Sequence, residues 1–182
     1  MLRPYSYSFG SFPKNGSSPS NSSNKSVPQN HPHPFHVQHA ADLEASTEEV
    51  EVATAKLSSF TEVEFNFGHF DWSKNARFKY VLIELSSSAL RVPKLLVRGL
   101  ASAEYHAEVA EPTLRQIDAA GLNHEVIGGG RIRYVAASKS LTVYGYSMGY
   151  PWPGGEFKNQ LVSEIIKHNF PDLTVDWSNE GY

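Results

Sequence analysis

Between Phe78 and Trp177 the apolar residues switch repeatedly between a strand period and a helix period, and that alternation limits the possible folds more than anything else in the chain. Phe78-Lys79-Tyr80-Val81-Leu82-Ile83-Glu84-Leu85 alternates at one end and runs apolar in the middle, as a well-buried strand does. Lys94-Leu95-Leu96-Val97-Arg98-Gly99 predicts a second strand, reached through the Ser86-Ser87-Ser88 turn and Pro93. Ala107 to Ala120 shifts to helical spacing, with Val109, Leu114 and Ile117 on one face and Gly121 as the stop. Pro112 suits a first turn, which puts the effective helix start near Val109 to Glu111. His124 to Ile127 and Arg131 to Ala136 read as short strands around a glycine triplet, and Leu141 to Tyr146 as another strand. After a Pro/Gly loop from Met148 to Gly155, Glu156 to Asn169 forms a second amphipathic helix striped by Phe157, Leu161, Ile165 and Ile166. Pro171 stops it, and Leu173 to Trp177 is a last strand. About six strands and two helices in roughly 120 residues predict an α/β fold of the α+β type, a single mixed sheet flanked by two helices.

The N-terminal part has a different composition. From Met1 to about Ala41, Ser, Pro, Asn and Gly dominate, and Arg3, Lys14 and Lys25 are the only formal charges. Such a segment buries too little apolar surface to offset chain entropy, so it is expected to be a disordered tail. Asp42 to Lys56 reads as an acidic linker with small apolar positions, capable of a weak helix. The expected division is therefore a tail and linker over 1–57 and a folded domain over 58–182, entered through Phe65, Phe67, Phe70 and Trp72. The Ser-rich, acid-free start resembles a transit peptide faintly, but it has one Arg and no amphipathic period; the expected location is cytoplasmic, with organelle targeting by the tail as the alternative. His31, His33, His36 and His39 have neither an acid nor a thiolate nearby, and Pro32 and Pro34 hold them extended, so no specific metal site is expected there.

Several classes of function are disfavoured. The absence of cysteine removes disulfides, thiol catalysis and thiolate metal sites. The net charge of −3 argues against nucleic acid or an anionic membrane as a partner, so any anion site must be local. No apolar run approaches the length of about 18 residues that a membrane span needs.

Three short motifs concentrate the chemistry. His106, in Ala103-Glu104-Tyr105-His106-Ala107, falls where a loop meets a helix N-terminus, whose free N–H groups and dipole favour an anion and a neutral imidazole. A neutral imidazole accepts a proton or attacks phosphorus, although a lone histidine is more often a surface or packing residue. Gly128-Gly129-Gly130 allows close backbone approach to an oxyanion, and Arg131 after it has the fork to bind phosphate; the plain alternative is a hairpin turn with a solvated arginine. Neither a Walker ending nor a Rossmann fingerprint is present. Ser147 leaves a strand into a loop whose hydroxyl and N–H groups, Gly149 included, suit an anion. Gly145-Tyr146-Ser147-Met148-Gly149 has the spacing of a nucleophile elbow, but Pro151 and Pro153 deny it the following helix, and His168 falls inside a structural-looking helix. Lys79 supplies either a solvated charge or a point charge for phosphate, and Arg98 reads as half of a structural salt bridge.

Taken in order, Phe78 to Ile83, Val97-Arg98-Gly99, Ala103 to Ala107, Gly128 to Ile132, Val143 to Met148 and the terminal Asn179-Glu180-Gly181-Tyr182 resemble the phosphohistidine phosphatase (Janus/Ocnus) family. The resemblance covers about Trp72 to Tyr182. It implies a metal-independent protein histidine phosphatase without a cofactor, a monomer acting on phosphohistidine-containing proteins. The family's catalytic histidine, base or nucleophile, falls on His106. Its substrate contacts fall on Lys79, Arg131, Ser147, Met148, Gly149 and Ala107. Gly149 replaces a common alanine, and Tyr150 to Gly155 departs from the usual rim. Some Janus-type members are described through sexual differentiation, so the resemblance also admits a non-catalytic regulator that binds phosphoprotein.

Overall fold

The computed structural model describes residues 45–181; the expected disordered tail and its histidine cluster lie outside them. Among the described residues one six-stranded sheet carries the fold, in the order β1-β3-β2-β4-β5-β6. Its strands are β1 (Val63–Phe65), β2 (Ala76–Ser86), β3 (Lys94–Leu100), β4 (Asn123–Val135), β5 (Ser140–Tyr144) and β6 (Thr174–Trp177). The four central strands pair antiparallel, while β1 joins β3 and β6 joins β5 in parallel, so the sheet is mixed as expected. Helices α1 (Thr47–Ser58), α2 (His106–Ala119) and α3 (Asn159–Asn169) complete it.

Alternation along the two longest strands sorts the core. Phe78, Tyr80 and Leu82 of β2, with Ile132 and Tyr134 of β4, are buried on the face covered by α3. Val81, Ile83 and Leu85 point the other way, towards Val109, Ala110 and Ile117 of α2 and Leu57 of α1. Arg98 is buried on this second face. Its guanidinium donates to Thr113 Oγ1 at 3.1 Å and to the Thr61 and Val97 carbonyls, and Glu64 lies 3.9 Å away. Burial pushes its pKa down to about 10, against the pull of Glu64.

The structure departs from or sharpens the sequence reading in five places. The acidic segment read as a linker capable of a weak helix does form one: Ser46 and Glu49 make a reciprocal capping box, and Ala53 and Leu57 are buried. Lys94 closes its C-terminal end by donating to the Leu57 and Phe60 carbonyls at 3.2 and 2.6 Å. Helix α2 begins at His106, not beyond it, and Pro112 lies in its interior. Burial of Val109 and Ala110, with Glu108 accepting from the Glu104 N–H at 2.8 Å, holds the first turn despite the missing proline N–H. The glycine triplet is no turn, because β4 runs through it as one strand. A bulge at Ile127 precedes it, where the register on β2 slips between Leu82 and Ile83. The aromatic entry contains the short strand β1, which pairs with β3. Finally, Phe157 precedes α3 and is exposed against Tyr146, while Val162 takes its place in the buried stripe.

Candidate active site

His106 is the first residue of α2, after an extended Tyr105 that offers the helix no side-chain cap. Its ring reaches across to β4, where Nε2 lies 3.0 Å from the Gly130 carbonyl oxygen. That oxygen is available because β4 pairs with β5 only from Arg131 onward. A carbonyl only accepts, so Nε2 carries the proton and the neutral ring keeps its lone pair on Nδ1. Burial holds the His106 pKa below the ordinary histidine value. The Gly130 hydrogen bond opposes that shift, and the Lys79 and Arg131 charges reinforce it.

The three glycines clear space on both faces of β4, Gly129 on the His106 face and Gly128 and Gly130 on the α3 face. A Cβ at Gly129 would stand 2.6 Å from the Tyr80 carbonyl oxygen and 3.2 Å from the His106 ring. A Cβ at Gly130 would meet the Tyr144 carbonyl oxygen at 2.5 Å, and one at Gly128 would run into the Trp152 indole. Gly129 thus lets the strand, the imidazole and Ser147 share one small space. The backbone of all three pairs with β2, so their part is clearance rather than a loose anion loop.

Lys79 and Arg131 are register partners across β2 and β4. Side chains directly opposite share a face, so both cations stand on the His106 side of the sheet, half-buried. Lys79 Nζ lies 3.5 Å from the Ala103 carbonyl, in the loop that leads to His106. Ser147 is buried beside Gly129, and its hydroxyl accepts from the Tyr150 N–H at 3.2 Å, which shapes the loop. Met148 and Ala107 are exposed, and the space beside Gly149 is open. The geometry therefore gathers His106, Lys79, Arg131 and Ser147, with Ala107 in the first helical turn and Met148 and Gly149 on the loop after Ser147. Only a short 3-10 turn (Pro153–Gly155) lies between Ser147 and the α-helix that begins at Asn159, and His168 is exposed on α3, so the elbow reading has no support.

One positioning residue escaped the sequence reading. Asn159 is fully buried at the start of α3; its Nδ2 donates to the Gly145 and Ser178 carbonyls at 3.1 and 2.9 Å, and its Oδ1 accepts from the Tyr80 hydroxyl. It ties the base of the Ser147 loop to the segment after β6. The only available signal was a polar residue opening an apolar helix, which ordinarily reads as a cap. A cavity of about 360 Å³, lined in part by Trp72, Tyr134, Phe170 and Lys139, contains none of these residues. Among the described residues, no helix is long and apolar enough to cross a membrane.

The arrangement offers a basic nitrogen, two cations and an uncapped helix N-terminus around one point, a combination suited to a tetrahedral anion and a proton transfer. The sequence profile of the Janus/Ocnus family (Ocnus) matches residues 65–174. Over 117 residues the chain is 38% identical to the 14 kDa phosphohistidine phosphatase of Sus scrofa, covering 62% of this chain and 90% of that protein. The Homo sapiens protein of the same name is 37% identical over 117 residues, with the same coverage. The sex-regulated protein janus-A of Drosophila pseudoobscura pseudoobscura is 34% identical over 116 residues, covering 62% of this chain and 75% of that protein.

Proposed function

The chain belongs to the Janus/Ocnus family, and we propose that it hydrolyses phosphohistidine in proteins, without a metal and with His106 at the centre of the reaction. The observation that carries this reading is the His106 imidazole, tied through Nε2–H to the Gly130 carbonyl and kept neutral, so that Nδ1 is the basic atom. The names of the pig and human relatives support the substrate class.

In this reading the phosphoryl oxygens sit between the first turn of α2 and the Ser147 loop. Lys79, Arg131 and the free N–H groups hold them and offset charge as the P–N bond breaks. The substrate imidazole leaves with a proton on its nitrogen. Either His106 Nδ1 takes a proton from the attacking water, or it accepts the phosphoryl group and water then releases it as phosphate. Trapping labelled phosphate on His106 in a single turnover identifies the nucleophile; inversion at an isotopically chiral phosphorus identifies the base.

A second reading is a regulator that binds a phosphoprotein without turnover, favoured by Drosophila relatives named for sex regulation rather than activity. Phosphate release from a phosphohistidine peptide, with EDTA present, separates the two. Steady release supports the phosphatase; binding of the intact peptide with no release supports the regulator.

A further inference from the structure

Beyond Lys79 and Arg131, the same sheet face carries a second pair of cations. The β2–β4 register sets Arg77 opposite Arg133, just as it sets Lys79 opposite Arg131. The register slip lies farther along, at Leu82/Ile83, so nothing disturbs the alternation between these rungs. The intervening Phe78, Ile132 and Tyr134 are buried on the α3 face, which leaves both rungs on the His106 face. Arg77 and Arg133 are exposed.

Like charges directly opposite one another destabilise a sheet, and here two such rungs adjoin. Among the described residues, no acid forms an ion pair with Arg77 or Arg133. The acid in their row is Asp176 of β6, which pairs with Thr142, itself the partner of Arg133. It stands two strand spacings from Arg133, about 10 Å. The chain as a whole is slightly acidic, so the block is local and not part of a general basic surface.

We propose that Arg77 and Arg133 form a second anion subsite, which binds an acidic side chain two residues away from the phosphohistidine in an extended substrate segment. The inference rests on the phosphatase reading of His106 and names the substrates that reading would favour. Successive rungs on one sheet face are about 7 Å apart, and so are the side chains at alternate positions of an extended peptide. A phosphoryl group over Lys79 and Arg131 therefore sets the alternate side chain over Arg77 and Arg133. Guanidinium forks suit a carboxylate. The block is only two rungs long and Asp176 flanks the Arg133 row two strands across, which suits one extra carboxylate and would repel a continuous phosphate backbone.

The test uses the full chain and two phosphohistidine peptides, one with Glu and one with Gln at both positions two residues from the phosphohistidine. Wild-type protein is expected to prefer the Glu peptide by about tenfold or more in kcat/KM, through KM, with the preference shrinking as salt rises. In Arg77→Gln/Arg133→Gln, checked for an intact thermal transition, the ratio falls to near one. Equal kcat/KM for both peptides in the wild type, or a preference that survives in the double variant, overturns the subsite. If wild type turns over neither peptide, the phosphatase reading fails, and the peptides' Kd values decide the subsite: the same ratio supports it, and equal values overturn it. Tighter binding of a single-stranded oligonucleotide of equal charge also overturns it.

Discussion

The two faces of the sheet are built from alternate residues of the same strands, and both bury apolar side chains, yet only one of them also carries charge. On the α3 face, Phe65 packs against Phe70, Trp72, Phe78 and Phe170, and Tyr134 edges onto Phe70 and Trp72. On the α2 face, the strand segments carrying Phe78 and Ile132 inward present Lys79 and Arg131 beside His106. The α3 face is apolar along β2 and β4, whereas the α2 face buries Val81, Ile83 and Leu85 at one end and keeps cations together at the other. The difference shows how a small sheet can carry an anion site in its centre: period-two alternation lets β2 and β4 serve core and chemistry at once, and glycine clears the space where the two meet.

Changes confined to one face should leave the property of the other face alone, and the largest effect lies in the aromatic core. Phe65→Ala is expected to cost about 3–5 kcal/mol of stability. Denaturant unfolding measures that loss, while kcat of the folded protein stays at the wild-type value; a proportionate fall in kcat would break the separation of faces. Next come the cations beside His106. Lys79→Ala and Arg131→Ala should each weaken transition-state binding by about 1.5–3 kcal/mol, read from kcat/KM.

The His106 titration gives a pH signature. Its folded pKa lies below the unfolded value, so protonation is penalised in the fold. Its stability contribution is therefore complete above the ordinary histidine range and is lost as pH falls through that range towards the folded pKa. Activity should stay flat from about pH 6.5 upward and fall below it. NMR titration of the His106 ring checks the direction, and a midpoint above the free-histidine value would contradict it. The smallest effect has the opposite sign to the others. Arg77→Gln relieves one like-charged rung and should raise stability by about 0.2–1 kcal/mol, most visibly at low salt.

Strands β2 and β3 were legible because their apolar runs are long and bounded by turn residues. The residue types of the site were legible too, since His106, Lys79 and Arg131 sit in short, chemically dense motifs. What local pattern could not show was proximity. The glycine triplet reads as a turn by propensity, because nothing in the sequence reveals that the Trp152 indole and the Tyr144 carbonyl will press on that strand. Strand β1 has only three residues, and its pairing with β3 is a long-range event with no local signature. Helix α1 commits just Ala53 and Leu57 to burial, too little for a periodic signal. Asn159 looked ordinary because its partners, at Tyr80, Gly145 and Ser178, are scattered along the chain.

The most direct test of the central claim is phosphate release from one phosphohistidine peptide by wild type and His106→Ala, side by side in EDTA. Loss of the imidazole should cut turnover by about 10³-fold or more while the protein melts as the wild type does. Undiminished release by a folded His106→Ala would contradict the account and move the chemistry away from this histidine.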